Sequence, residues 1–178
     1  MEVSGLETKV WFPVVTLIVG VVLKGLWDVR LERIKTERER EARKELREDT
    51  YRAKRDEFQR EALLELQEAA QSLVRATGMQ HHEDVMASRT GGKWGVNRYS
   101  EGTSDGYLQA NVRVLRFSVR VQDESIRSLA KNLSSACSNH VFCKSENEAE
   151  ANMVAVVAHF SELNERLGML LRTNTGLV

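Results

Sequence analysis

The sequence predicts an all-α protein. It should have an N-terminal transmembrane helix, a charged helical stalk, and an antiparallel bundle of three helices, or four if one long helix breaks. Three observations carry that expectation. The run from Val10 to Leu23 holds no charge, whereas from Asp28 onward almost every second residue is Arg, Lys, Glu or Asp. Proline occurs once in 178 residues and aromatics are few, while Glu, Arg, Leu and Ala, all strong helix formers, are abundant. Beyond Phe58, apolar residues return in alternating steps of three and four, the spacing of one helix face.

Residues 10–27 are the predicted transmembrane helix, preceded by a short extracytoplasmic segment, 1–9. Lys24 can extend its stem to the interface. At about 1.5 Å per residue the run covers roughly 27 Å, close to a ~30 Å hydrocarbon core. Trp11 and Trp27 bracket it at headgroup level, and Pro13 falls in the first turn, where a missing N–H does little harm. A helix apolar all round is unlike an amphipathic one lying on the surface. Glu2, Glu7 and the sequence Lys24-Gly25-Leu26-Trp27 are unlike a cleaved signal peptide. The run's shortness leaves a buried helix of a soluble core as the competing assignment.

Only Lys9 precedes the run, whereas Lys24, Arg30, Arg33, Lys35 and Arg38 follow it closely. The excess of basic residues places the amino end outside and the body in the cytosol, at a cell inner membrane. Cys137 and Cys143 are then in a reducing compartment, and the acceptor Asn132-Leu133-Ser134 is out of reach of glycosylation. Thr16 and Gly20 form a small-xxx-small face on which spans could pair.

Residues 28–57 form the stalk. Arg33 with Glu37, Glu39 with Arg43, Lys44 with Glu48 and Asp56 with Arg60 lie four apart and stack opposite charges. Leu31, Ile34, Leu46, Tyr51 and Phe58 are too sparse to hold a heptad seam.

The bundle covers 58–172, leaving 173–178 as a tail. Ala62, Leu66, Ala69, Leu73 and Ala76 mark its first helix. A glycine-rich loop follows over 88–106, with Trp94 folding back on the bundle. The next helix, capped by Asp105, has a seam through Leu108, Val112, Leu115, Val119, Gln122, Ile126, Leu129, Leu133 and Ala136. A break near Asp123 would divide it, giving the fourth helix. Ser145 and Glu148 have capping-box spacing ahead of a last helix with its seam at Ala149, Met153, Val156, Phe160, Leu163, Leu167 and Leu170. Leu115, Leu129, Phe160 and Leu167 are expected to be nearly fully buried.

Candidate chemistry is thin. Cys137, His140 and Cys143 make a C-x2-H-x2-C cluster of metal-ligand types, with His159 as a conceivable fourth ligand; small buried cysteines at a helix end are the commoner arrangement. His81, His82, Glu83 and Asp84 concentrate titratable groups beside the loop, but adjacent residues on a helix point about 100° apart. Gly91-Gly92-Lys93 lacks the upstream glycine and following Ser or Thr of a phosphate loop. Arg113, Arg116, Arg120 and Arg127 form a ridge whose natural partners are Glu148, Glu162 and Glu165 on the last helix. Gln122 interrupts its seam as a register-setting polar residue. Equal numbers of basic and acidic residues, twenty-six each, give no whole-chain field for nucleic acid to follow. No catalytic residues are assigned, and no cofactor is expected.

Two stretches, Phe58-Gln59-Arg60-Glu61-Ala62-Leu63-Leu64-Glu65-Leu66-Gln67 and Val119-Arg120-Val121-Gln122-Asp123-Glu124, carry a likeness. Together with the anchor and arm, they resemble an uncharacterised family of bacterial single-pass membrane proteins, over most of the chain. The resemblance implies an inner-membrane setting and transfers no activity or functional residue. The anchor and arm alone are also similar to the b subunit of ATP synthase, but that family continues as one very long helix without a glycine loop. The function expected is a non-catalytic, membrane-tethered cytosolic interaction or scaffold module. Its partners would be the lipid bilayer and a protein, either another or a second copy of itself. The alternatives are an enzyme or metal protein acting near 81–106, and a defence effector that oligomerises in the membrane.

Overall fold

The computed structural model describes residues 7–96 and 99–174, with side chains over 15–96 and 99–173. Among these residues the protein is all-α: α1 (Glu7–Arg89), α2 (Glu101–Ser118), α3 (Glu124–His140) and α4 (Glu146–Asn174), with no strand. Two compact units divide the chain, one ending at Ala53 and the other starting at Lys54.

In the first unit every described side chain from Val15 onward is exposed. The apolar ones include Leu17, Ile18, Val21, Leu23, Leu26 and Trp27. Among the described residues no helix is long and apolar enough to cross a membrane, so the expected span finds no support there. The side chains of 10–14, the start of that run, lie outside the described residues, as do residues 1–6 of the expected outer segment and 175–178 of the tail. Of the stalk pairs expected from spacing, Glu39–Arg43 closes, at 3.8 Å, and Arg52 pairs instead with Glu48 and Asp49. Such exposed pairs contribute only about 0.3–0.5 kcal/mol each, so backbone propensity carries most of this helix.

In the second unit α1 runs without interruption through Gly78 to Arg89. Leu73, Ala76, Thr77 and Gln80 are all buried around that glycine, and this packing outweighs the roughly 1 kcal/mol a helical Gly costs. Gly91 then ends the helix in the left-handed region, at φ +91°. Its N–H donates to Ser88 O at 3.1 Å and the Gly92 N–H donates to Ala87 O at 2.9 Å, the paired bonds of a glycine C-cap. The Gly91-Gly92-Lys93 sequence is therefore a helix stop.

The connection is shorter than the expected 88–106. Ser88 ends inside α1, and Gly102, Asp105 and Gly106 lie inside α2. Asp105 thus caps nothing; the cap position belongs to Ser100, whose N–H and hydroxyl donate to Glu83 of α1 at 3.0 and 2.8 Å. Thr103 Oγ1 donates to the same carboxylate at 2.7 Å. Because these bonds favour the ionised form, Thr103 first, they hold Glu83 below the usual carboxylate range.

The expected long helix divides into α2 and α3, so the bundle has four helices. Asp123 caps α3, accepting from Ile126 N at 3.1 Å and from Ser125 Oγ at 2.5 Å, with Arg166 of α4 at 3.3 Å. These partners, led by Ser125, depress its carboxyl. The break also corrects the seam. On α2 the buried residues are Tyr107, Ala110, Val114 and Phe117, while Leu108, Val112, Leu115 and Val119 are 58, 61, 50 and 73% exposed. A non-helical stretch at 119–123 resets the rotational phase, so the stripe that fits α3 does not continue onto the inner face of α2. Gln122 sits in that break and bonds outward to α1. Its N–H donates to Gln59 Oε1 at 2.9 Å, and its side-chain carbonyl accepts from Arg55 at 3.0 Å. Gln59 Nε2 also donates to Arg120 O at 3.0 Å, satisfying backbone that the break leaves without helical partners.

Inter-helix pairings give the topology. Glu65 and Glu68 meet Arg113 on α2, Gln67 meets Asn164 on α4, and Tyr107 and Asn111 meet Ser138 and Ser134 on α3. Successive helices are antiparallel, in an up-down-up-down bundle around Leu66, Leu73, Val114, Ile126, Leu133, Val156, Leu163 and Leu167. Of the four residues expected to be nearly fully buried, Leu167 is; Leu129 and Phe160 are half-buried against the core, and Leu115 is exposed. On α4, Ser145 Oγ accepts from Glu148 N at 3.3 Å, and Glu148 reaches back to the N–H of Lys144 at 2.9 Å.

Candidate functional site

Two features of the second unit go beyond a packed core: a buried polar cluster at the α1–α2 turn, and an outward apolar stripe on α2.

The cluster forms where the end of α1 meets the end of α3 and the start of α4. Gln80, Asp84 and His140 are each 3% exposed. The His81 and His140 rings stand edge-on with centroids 5.2 Å apart, and Trp94 covers His81 at 5.8 Å. Tyr99 Oη donates to Asp84 Oδ2 at 2.7 Å, and burial together with that bond raises its pKa. His140 lies below the ordinary imidazole range because burial disfavours the charged ring, and a charged His81 would oppose it further. The charge of Asp84 pulls the other way. Gln80 Oε1, His81 Nδ1, Asp84 Oδ1, Asn152 Oδ1 and both ring nitrogens of His140 have no hydrogen-bond partner among the described residues.

The expected metal-ligand types are not brought together as ligands. His140 faces His81, His82 is exposed, and Cys143, in the α3–α4 connection, donates its thiol to Asn139 O of α3 at 3.5 Å. Among the described residues no three His, Cys, Asp or Glu side chains are placed to hold a metal. Cys137 and Cys143 are buried free thiols, and burial pushes both up, away from the reactive thiolate. Two separate stretches of sequence pointed to His140 and to its companions His81 and Asp84, but not to their meeting. Tyr99, Gln80 and Asn152 carry no local pattern that would have pointed to them.

The α2 stripe is the larger feature. Leu108, Val112 and Leu115 on the outer face of α2, with Val119 just past its end, follow four-three-four spacing. Beside them Arg113, Arg116 and Arg120 hold their guanidiniums 5.9, 5.8 and 5.3 Å from the Phe117 ring. Arg113 pairs with Glu65 at 3.1 Å, and Arg127 pairs with Glu124, so the expected bridges from this ridge to α4 do not form. Arg116 and Arg120 have no ion pair among the described residues, and they line a groove of about 200 Å³ with Phe58, Glu61 and Phe117. An apolar stripe rimmed by unpaired arginines is the composition of an interaction surface.

No protein-family model, curated protein or solved structure matches the chain.

Proposed function

We propose that this protein is a membrane-tethered interaction module, with its amino end outside the bacterial inner membrane and the helical bundle in the cytosol. The observation that carries the interaction half is the outward α2 stripe. Four large apolar side chains at regular helical spacing stand in water when a complete core exists beside them. Supporting the tether are the uncharged run from Val10 to Leu23 and the exposed apolar side chains from Val15 to Trp27, which water disfavours. Supporting the orientation is the excess of Lys and Arg that follows the run.

Alkaline carbonate extraction of native membranes, with reporters fused before Met1 and after Val178, tests the tether. The protein should stay in the pellet, with a periplasmic reporter active only at the amino end. Release into the supernatant, or periplasmic alkaline phosphatase activity after Val178, would overturn it.

A further inference from the structure

Resting on the reading of the bundle as an interaction module, we infer that its partner is a second copy of this chain. The α2 stripe of one copy docks on the outer face of α4 of the next. That α4 face is the chemical complement of α2. Val154 and Val157 are 71 and 54% exposed, and Ala151, Ala158 and Ser161 beside them are exposed and small, leaving room for the leucines of α2. Glu150, Glu162 and Glu165 flank it, exposed and without an ion pair among the described residues. The ridge of Arg116 and Arg120 and this acidic flank do not meet inside one molecule. Arg116 and Arg120 stack on Phe117 and share a groove with Glu61 and Glu65 without an ion pair to either among the described residues, so both surfaces can still take an opposite charge.

Their placement decides the type of assembly. Helix α3 packs against both α2 and α4, and α1 bonds to both, so α2 and α4 occupy opposite corners of the bundle. A contact between different faces is heterologous. It leaves an unused α2 at one end and an unused α4 at the other, so copies add in a row. A two-fold pairing of α2 with α2 would instead bring two arginine-rimmed stripes together with no acidic flank between them.

The bundle also fixes the register. Arg113 of α2 meets Glu65 of α1 while Asn164 of α4 meets Gln67, so Arg113 and Asn164 stand at one level. Copies anchored in one bilayer share an orientation. Side by side without stagger, they place Val112 level with Leu163 and Arg116 level with Leu167, each within a turn of the exposed Ser161 and Glu165.

The test uses two differently tagged full-length chains in the same membranes, one carrying Val112→Cys and the other Ser161→Cys, treated with a short bismaleimide. The native Cys137 and Cys143 are buried, and the unsubstituted chain gives the background. The mixed pair should crosslink, Val112→Cys alone should not, and one chain carrying both should yield a ladder. Adding Arg116→Glu to the first chain should cut the mixed product at least fivefold, and Glu165→Arg in the second should restore it. Rescue from another molecule cannot come from a folding defect. Equal crosslinking of Val112→Cys with itself, or no mixed product, would overturn the inference. If the mixed product is absent but Val112→Cys stays shielded from a monofunctional maleimide in the membrane, the interaction module survives without self-assembly; if Val112→Cys labels freely there, both fall.

Discussion

Helices α2 and α4 are built from similar materials and use them differently. Each carries apolar residues in steps of three and four. In α4 that set faces inward: Ala149, Val156, Leu163 and Leu167 are buried, with Met153, Phe160 and Leu170 half-buried between them. In α2 there are two such sets, offset by one or two residues. Tyr107, Ala110, Val114 and Phe117 enter the core, and Leu108, Val112, Leu115 and Val119 remain in water. Helical spacing identifies a face that is apolar, and the neighbouring elements determine which face is covered. Where two apolar faces coexist, the second is available for a partner.

The sharpest way to break this comparison is a pair of leucines. Leu133→Ala removes a fully buried side chain of α3 and should cost about 2–5 kcal/mol, read by denaturant unfolding of the full chain in detergent. Leu115→Ala, on the outer face, should change stability by no more than about 0.5 kcal/mol under the same conditions. Equal losses would return Leu115 to the core. Phe160→Ala should fall between them, at about 2 kcal/mol, since the ring is half-buried.

Asp123→Ala should cost about 1 kcal/mol by removing the α3 cap, and helical content should fall with it. An unchanged stability would mean that the break between α2 and α3 is held by Gln59 and Gln122 alone.

The buried cluster makes a prediction about pH. His140 is depressed in the fold, so the unfolded chain takes up its proton first as pH falls. Its contribution is complete above the unfolded value of about 6.5 and is lost as pH drops from there toward the lower folded value. His140→Gln should flatten that part of the stability curve. The loss from Glu83 should remain in both proteins, appearing lower, as pH falls through the carboxylate range. A slope unchanged by His140→Gln would place the titration elsewhere.

The smallest effect expected is a gain. Gly106 lies inside α2, where an added Cβ would meet nothing within 4 Å, so Gly106→Ala should stabilise by about 0.5–1 kcal/mol. Gly91→Ala should do the reverse, because Gly91 alone lets α1 end in the left-handed region.

Much of this architecture was legible in local pattern. The α1 stripe from Ala62 to Ala76, the α4 seam, the capping pair Ser145 and Glu148, and Asp123 as a break all depend on residues close together in the chain. What was not legible depends on distant ones. The inner face of α2 is chosen by Ser134 and Ser138 of α3 and by Glu65 of α1, and the end of α1 is tied to α2 through Glu83. The polar cluster needs Tyr99, His140 and Asn152 brought from three elements, and no spacing encodes that. The arginine ridge was visible, but Arg113 and Arg116 made no bridge to α4 because α2 and α4 stand at opposite corners, and Arg127 on α3 pairs with Glu124 instead.

The central claim, that α2 presents an apolar surface which a partner covers, is tested most directly by measuring thiol accessibility in place. Leu115→Cys should react slowly with a maleimide in native membranes and quickly after mild solubilisation and dilution, while Leu133→Cys stays slow in both. Fast labelling of Leu115→Cys in the membrane would show a stripe without a partner, and slow labelling after dilution would show that it belongs to the core.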